Sequence, residues 1–221
     1  MAISKKITHI CENCAKPIGI TSLKYINDRQ DSEKIPFLRN YSLFSNFCPY
    51  CGQKIYPETC LLYQDTLHRF IIYYIDGKNK EAKKQEVLKR IADDAIDGYT
   101  YRVVTDRVEF VEKVEMLIAG YDDRIMLLAK WTTYLGAMDA AEDIEPENIW
   151  FELDEDDRSV WHIDYPDDYE RILEITPEQY ALFVSIFCDI ADMSDEKILI
   201  DNEWASSIVF AIDEAMKEDE Q

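Results

Sequence analysis

Four cysteines, arranged as two short pairs, are the residues of this sequence whose type and spacing best suit a chemical role. Cys11 and Cys14 are separated by two residues, and so are Cys48 and Cys51. A C-x-x-C pair can bend around a metal ion and offer it two thiolates, and two such pairs complete a tetrahedral zinc site. The pattern therefore predicts one structural Zn²⁺ ion. Because four thiolates leave no open position, it argues against catalysis at the metal.

The main alternative for Cys48 and Cys51 is a thioredoxin-like redox pair, which requires the motif at the junction of a strand and a helix. The residues that follow Cys51 are Gly52-Gln-Lys-Ile, which indicate a turn and a strand. His9 lies two residues before the first pair and is a further candidate ligand. Four cysteines already fill the site, so we do not assign His9 to it.

We assign no catalytic or metal-binding role to the remaining cysteines or to His162. Cys60 and Cys188 lie in apolar stretches, which predicts small buried side chains. His162 alternates with Trp161 and Ile163 in a predicted strand. We therefore expect His162 to lie opposite the core face and in contact with solvent.

Short strands and turns must position the cysteine pairs. Strands are predicted at residues 20–26 and 41–47, with a helical turn at 31–38 between them. After the second pair, residues 60–63 and 68–75 are predicted to form a hairpin.

The rest of the chain alternates between predicted helices and strands. The helices are predicted at residues 80–96, 106–120, from 122 onward, 167–174, 176–192 and 202–217. The strands are predicted at residues 99–104, 148–153 and 160–165. Asp106 and Thr176 each stand three residues before Glu or Gln, which is the signature of a capping box at a helix start.

The charge of the chain is strongly negative and unevenly distributed. The net charge is −21, yet residues 1–58 carry 8 basic and 5 acidic side chains, while all other residues carry 16 basic and 40 acidic ones. Such an acidic surface repels nucleic-acid phosphates and anionic membranes. No apolar stretch has the length of a signal peptide or a membrane span. We therefore expect a cytoplasmic protein with reduced thiols and no membrane partner.

Together these patterns predict an α+β fold in three parts. An N-terminal zinc-ribbon lobe, residues 1–58, is expected to pack on an acidic mixed α/β body, residues 59–172. Residues 173–221 are predicted to form a helical C-terminal extension.

Several further motifs accompany the second cysteine pair, Cys48-Pro-Tyr-Cys51-Gly52. They are Leu62-Tyr-Gln-Asp65, Phe70-Ile-Ile-Tyr-Tyr74, the stretch from Tyr101 to Glu115, Gly120-Tyr-Asp-Asp-Arg-Ile125 and Lys130. Over roughly residues 10–172, the sequence resembles the CpXC family of bacterial and archaeal proteins, which is named for C-P-x-C pairs. The first pair departs from this pattern because it lacks the proline, which shapes the turn and is not a ligand. The resemblance implies a zinc site and a shared fold, and it implies no activity.

Charged side chains offer further interpretations. Glu112 and Lys113 could pair with partners across helix turns, which is a weak effect at a helix surface. Asp122 and Asp123 could act as metal or acid–base groups, but favourable placement at a helix N-terminus explains them more simply. The acidic loop at residues 154–157 lacks the EF-hand spacing, so calcium is not expected there.

The run from Asp139 to Glu170 holds 14 acidic residues and one base, Arg158. It is either a solvated surface or an array that imitates the phosphate spacing of nucleic acid. We favour the solvated surface.

The sequence thus favours a non-enzymatic zinc-binding module, with an interaction or regulatory role, whose acidic surface binds a basic protein. One alternative is a nucleic-acid mimic that inhibits a DNA- or RNA-handling protein, for example of a defence or CRISPR-type system. A second is weak nucleic-acid binding by the zinc ribbon through Lys5, Lys6, Lys16 and Lys24, which the acidic body disfavours. A third is an enzyme whose carboxylate site includes Asp122 or Asp123.

Overall fold

The computed structural model describes residues 2–139, 144–194 and 196–219, and it describes residues 218 and 219 by their backbone alone. The chain divides into two compact units, Met1–Val111 and Glu112–Gln221, called here the first and second unit. The predicted mixture of helices and strands is confirmed, with the cysteine pairs near the N-terminus and helices at the C-terminal end. The predicted divisions after residues 58 and 172 stay predictions.

The first unit contains seven strands and two helices. The strands are β1 Ile3–Ile10, β2 Pro17–Asn27, β3 Asn46–Phe47, β4 Lys54–Ile55, β5 Cys60–Asp65, β6 Phe70–Ile75 and β7 Thr100–Val104. The helices are α1 Ile35–Arg39, which follows a 3-10 turn at Ser32–Lys34, and α2 Lys80–Asp94. Five strands form a mixed sheet in the order β1-β2-β5-β6-β7, and β3 pairs with β4.

The apolar character of β5 and β6 explains why these strands lie inside the five-stranded sheet and not at its edges. β6 reads Phe-Ile-Ile-Tyr-Tyr-Ile and is buried almost throughout, as expected of a strand covered on both faces. β5 alternates buried and half-buried residues and pairs antiparallel with β6, which confirms the predicted hairpin. α2 joins the parallel strands β6 and β7 and packs against both, as a crossover helix does.

Two predictions for the first unit need correction. The strand predicted at 41–47 is wrong over most of its length, because Tyr41 has a left-handed backbone with φ of +59° and a 3-10 turn follows at Ser42–Phe44. Only Asn46–Phe47 is extended. β1 was not expected at all, since this edge strand is mostly exposed and carries lysines in place of alternating apolar residues.

The second unit packs helices with a small sheet. Helix α3, Arg107–Ile118, spans the division between the units. The elements that follow it are α4 Asp123–Asp139, β8 Asn148–Leu153, β9 Ser159–Tyr165, β10 Tyr169–Glu174, α5 Pro177–Met193 and α6 Asn202–Asp219. The strands form an antiparallel sheet in the order β10-β9-β8. α4 packs against β8, α5 and α6, and it supplies the centre of the core with Met126 and Leu128.

Helix starts in both units follow the predicted capping residues. The Oδ1 atom of Asp106 accepts the N–H groups of Val108 and Glu109 at 2.8 and 3.0 Å. At α5, Thr176 Oγ1 accepts the N–H of Gln179, and the Gln179 side chain accepts the N–H of Thr176. These bonds satisfy amides that have no partner within the first helical turn.

The helix predicted at residues 167–174 is wrong, because residues 169–174 form strand β10. Asp167 and Asp168 both have left-handed backbones, with φ of +63° and +58°. Aspartate tolerates this conformation better than most residues, and two in succession reverse the chain. Tyr169 therefore pairs with Tyr165, and the segment joins the sheet.

No helix in the described part of the chain combines the length and apolar character needed to span a membrane.

Candidate functional site

The four predicted cysteines meet at one place in the first unit. Their sulfur atoms all lie within 4.8 Å of one another. Cys11 Sγ is 3.7 Å from Cys51 Sγ, and Cys14 Sγ is 3.7 Å from Cys48 Sγ. Each sulfur pair thus joins one cysteine from each C-x-x-C motif, which ties the two motifs to each other.

Each motif occupies the loop of a β-hairpin. In the first hairpin Ile10 pairs with Pro17, and in the second Phe47 pairs with Lys54, so each loop has six residues. The cysteines occupy the first and fourth positions of each loop. Two antiparallel hairpins of equal loop length therefore present their sulfurs in the same way.

The loops also share their backbone hydrogen bonds. In each, the N–H of the first cysteine donates to the carbonyl five residues later, and the N–H four residues later donates back to the first cysteine. These bonds are Cys11 to Lys16, Ala15 to Cys11, Cys48 to Gln53 and Gly52 to Cys48, at 2.7 to 3.0 Å. The residue after the second cysteine is left-handed in both loops, with φ of +56° at Ala15 and +74° at Gly52.

The sulfur geometry fits a tetrahedral metal ion. A zinc–sulfur bond of about 2.3 Å implies about 3.8 Å between sulfurs at the corners of a regular tetrahedron, and the closest inter-motif pairs lie at 3.7 Å. A disulfide would require about 2.05 Å, and the six cysteines are free thiols. The donor set is consistent with zinc, and the four sulfurs leave no position for a substrate.

Burial differs among the four cysteines. Cys11 and Cys48 are buried against Ile18, Ile20 and Ile55, whereas Cys14 is half-buried and Cys51 is exposed. One sulfur of each motif therefore anchors the site in the small core beside the hairpins.

The electrostatics of the four thiols bear on how a cation could bind them. The backbone N–H of Gln53, followed by the Asn13 side chain, lowers the pKa of the Cys51 thiol to about 6. The N–H of Lys16 acts to lower the pKa of Cys14, but burial and the three neighbouring thiols outweigh it and raise that pKa to about 11. The pKa values of these two thiols thus lie far apart, and a metal ion at the site would favour the ionised form of all four.

The residues that were set aside from the site also have defined positions. His9 is half-buried and does not belong to the cluster of four sulfurs. The burial predicted for Cys60 and Cys188 is wrong, since both are only half-buried. Cys60 Sγ lies 3.5 Å from Lys83 Nζ, which is a polar contact rather than an apolar one.

A second cluster of charged side chains lies buried in the second unit. It consists of Glu112, Lys113, Glu115, Asp123 and Lys130, each no more than 3% exposed. Lys113 Nζ donates to Asp123 Oδ2 at 2.7 Å. Lys130 Nζ donates to both carboxylate oxygens of Glu112, at 2.8 and 2.9 Å. The surface position predicted for Glu112 and Lys113 is wrong, because their partners lie on α4 and they face the core.

The glutamates of this buried cluster also bind the edge of the small sheet. Glu112 Oε1 accepts the N–H of Phe151 at 2.7 Å, and Glu115 Oε2 accepts the N–H of Leu153 at 3.0 Å. β8 is an edge strand, whose alternate amides point away from β9. Residues three apart on a helix lie on one face, so two glutamates of α3 can accept hydrogen bonds from two alternate amides of β8 at once.

The pair Asp122 and Asp123 does not form a shared carboxylate site. Asp123 is 1% exposed and bound to Lys113, so it does not face solvent. Asp122 accepts from Arg124 Nη2 at 2.7 Å, and its side chain also accepts the N–H of Arg124 at the start of α4. Arg124 reaches Asp192 on α5 as well, at 3.2 Å. One aspartate is thus part of the core, and the other is at the helix start.

His162 lies opposite the core face as predicted, but the predicted solvation is wrong. Its side chain is 13% exposed and stacks on Trp150, with ring centroids 5.0 Å apart. Its ring nitrogens contact Glu152 on β8 and Glu170 on β10. The imidazole therefore joins all three strands of the sheet.

Several aspartates of the acidic run serve the turns of this sheet. Asp154 Oδ1 accepts the N–H groups of Asp156 and Arg158, both at 2.9 Å, and closes the turn between β8 and β9. Asp157 has φ of +58°, a conformation that aspartate tolerates. Together with Asp167 and Asp168 in the next turn, these aspartates have a structural role in the turns of the sheet. Residues 140–143 of the run lie outside the described residues.

Comparison with known sequences identifies a family. A model of the family described as CpXC protein matches residues 10–130, which include all four cysteines and the buried residues on α3 and α4. No curated protein and no solved structure matches the chain.

The left-handed residues after each cysteine pair lead to a first prediction. Ala15→Gly should strengthen zinc binding and stabilise the hairpin by about 0.5–1 kcal/mol, because glycine removes the steric cost of positive φ. Gly52→Ala should have the opposite effect, since a Cβ there meets no atom within 4 Å and the cost is purely one of backbone conformation.

The measurement is zinc affinity by competition with a chelating dye. Gly19→Ala is the matched control, because Gly19 lies in β2 without a positive φ and has open space for a Cβ. Equal zinc affinity of the Ala15→Gly and Gly52→Ala proteins would contradict the strain argument.

A second prediction concerns the buried ion pair. Lys130→Met should lower the free energy of unfolding of the second unit by about 3–5 kcal/mol, because it leaves Glu112 buried without a cation. Adding Glu112→Gln should restore part of this loss, since the amide oxygen can still accept the N–H of Phe151.

Tryptophan fluorescence during denaturant unfolding measures this change, because all four tryptophans, residues 131, 150, 161 and 204, belong to the second unit. An exposed control is Lys217→Met, which removes a surface pair with Asp213 and should cost less than about 1 kcal/mol. A Lys130→Met loss no larger than that of the control would contradict the prediction.

Proposed function

Because the chain belongs to the CpXC family, we propose that it is a non-enzymatic zinc-binding module in which the metal holds the first unit together. The observation that carries this proposal is the convergence of four sulfurs from two equivalent hairpin loops. Cys11, Cys14, Cys48 and Cys51 are the proposed ligands of one Zn²⁺ ion. The proposal requires a compartment such as the cytoplasm, because only reduced thiols ligate the metal.

A structural role fits the small size of the core beside the loops. The buried cluster there consists of two cysteines and the three isoleucines that pack with them. In peptide models, zinc contributes roughly 10–16 kcal/mol of apparent folding free energy to such lobes. The metal therefore replaces the apolar burial that these hairpins lack.

We further propose that the second unit supplies a surface that binds a basic protein. Residues 1–111 carry 17 basic and 14 acidic side chains, whereas residues 112–221 carry 7 basic and 31 acidic ones. At least five of these seven bases already pair with carboxylates of the same unit: Lys113, Arg124, Lys130, Arg158 and Lys217. The acidic excess is thus left for an external cation, and it disfavours nucleic acid.

A third prediction tests the zinc site. Purified protein should contain about one zinc ion per chain, and Cys51→Ser should release it, because three thiolates hold zinc less tightly than four. Hydrogen exchange of residues 1–58 should then accelerate, while the tryptophan fluorescence of the second unit should stay unchanged.

Cys60→Ser is the control, since Cys60 is half-buried and does not belong to the sulfur cluster. A protein that lacks zinc and readily forms a disulfide between Cys48 and Cys51 would reject the proposal in favour of a redox pair.

A fourth prediction tests the acidic surface. The zinc-loaded protein should bind a small basic protein and not duplex DNA, and its affinity should fall at least about tenfold between low and high salt. Reversing two exposed charges of the second unit, with Glu155→Lys and Glu178→Lys, should weaken the complex.

Reversing two exposed charges of the first unit, with Glu86→Lys and Asp93→Lys, changes the net charge equally and is the control. If both double variants bind the basic protein with the same affinity, the second unit is not the binding surface. An affinity that does not change with salt concentration would also contradict the proposal.

A further inference from the structure

An open apolar groove lies among the three long helices of the second unit. It measures about 410 Å³ and is lined by residues of α4, α5 and α6. Its apolar lining includes Leu135, Phe183, Phe187 and Val209. A groove of this size and character is typical of a site that binds a ligand or a peptide.

The floor of the groove is formed by α4, and it presents almost no polar atoms. The hydroxyl groups of Thr132 and Thr133 donate to the carbonyls of Leu128 and Ala129 in their own helix, at 2.9 and 2.8 Å. Their methyl groups are therefore left for the groove. Gly136 completes the floor, and apart from its own helix backbone a Cβ at this position would meet no atom of the described residues within 4 Å. This glycine costs helix stability without serving any close contact.

The walls of the groove expose large apolar side chains to solvent. Ile186 of α5 is 51% exposed, and Ile212 and Met216 of α6 are 38% and 62% exposed. Leu182, one turn before Ile186, is 56% exposed and extends this surface. Neighbouring apolar side chains around a cavity mark an interaction surface, in contrast to single exposed residues.

The charges around the groove are acidic. Asp139 and Asp213 belong to its lining. Lys217 pairs with Asp213 at 2.6 Å, and the same carboxylates raise the pKa of Lys217, chiefly through the hydrogen bond from that lysine to Asp213. α5 carries three acidic residues and no base, and α6 carries five acidic residues and one base.

This charge pattern favours some ligands of the groove over others. A second copy would bring two acidic faces together, and like charges across an interface oppose association. A fatty acid or another anionic amphiphile would place its head group near Asp139 and Asp213, which also disfavours it. An amphipathic ligand with a cationic face satisfies both the apolar floor and the acidic rim.

We propose that the groove is the docking site for a basic amphipathic helix of a partner protein, an inference that rests on the proposed basic partner. From Ala129 to Asp139 the floor extends about 15 Å along α4, which matches about three turns of a bound helix. An apolar helix face in such a groove is a recurrent mode of peptide recognition, and flexible methionines such as Met216 suit it.

The test uses the full zinc-loaded chain and three synthetic peptides. The first is a helical peptide of about fourteen residues with leucines on one face and lysines on the other. The second has glutamates in place of the lysines, and the third has the same composition as the first in an order without an apolar face. Only the first should bind tightly, as measured by fluorescence anisotropy.

Gly136→Phe is the decisive variant. Its side chain enters the open space above Gly136 and should weaken binding of the first peptide at least about tenfold, because it takes the volume of one apolar anchor. It should not unfold the protein, since glycine is the poorer helix former. Gly136→Ala is the matched control and should bind as the native protein does.

The outcomes separate this inference from the proposed basic partner. If both lysine peptides bind alike and Gly136→Phe changes neither, the groove is not the site, although the acidic surface still binds bases. If no lysine peptide binds at low salt, both proposals fail. Equal binding of the glutamate peptide, or blockage of the groove by a fatty acid instead, would also overturn the helix assignment.

Discussion

Four thiols that lie within 4.8 Å of one another can all ionise only if a cation offsets their charge, and this constraint applies to the cysteine loops of the first unit. The N–H of Gln53 lowers the pKa of the Cys51 thiol, whereas the pKa of Cys14 is raised despite the N–H of Lys16, so a cation at the site would favour ionisation of the whole set. The two hairpin loops come from distant parts of the sequence, but they repeat the same length, the same hydrogen bonds and the same left-handed residue. A metal ion bound to these sulfurs would join two copies of one local structure, each of which is already shaped by its own backbone.

The second unit also holds charges that need partners of opposite sign, and here side chains of the protein provide those partners. Lys113 and Lys130 lie in the core, and each has a carboxylate partner at hydrogen-bonding distance. Replacing such pairs by apolar residues is often neutral or stabilising, so a buried pair is by itself weak evidence for stability. Here the geometry is specific, because Glu112 binds Lys130 on α4 and the N–H of Phe151 on β8 at the same time. A shift of α3 by one residue would lose both bonds.

The sequence predicted local features well and charged interiors poorly. The cysteine loops, the β5–β6 hairpin and the caps at Asp106 and Thr176 depend on spacing over a few residues, which a sequence displays directly. The buried cluster could not be recognised in this way. Glu112 and Lys113 have the composition of a surface helix, and only the placement of α4 and β8 provides their partners.

The predicted helix at 167–174 failed for another reason. Its composition suits a helix, but the two left-handed aspartates at its start turn the chain back onto β9, and pairing with a neighbouring strand overrode local preference. The sequence did contain one indication of the buried cluster. Glu115 and Lys130 belong to the motifs in which the chain resembles its family. A resemblance in charged residues at interior helix positions points to partners inside the fold.

The carboxylates that cover β8 have a consequence for self-association. An uncovered edge strand can recruit a strand from another chain, and a sheet with two uncovered edges can repeat this addition without limit. In the described part of the second unit, the amides of Phe151 and Leu153 are already bound by α3, so strand addition at β8 is blocked. Among the described strands of this sheet, β10 is the edge that remains, and a sheet with a single open edge terminates after one pairing. The buried glutamates thereby protect the small sheet against open-ended fibrous growth.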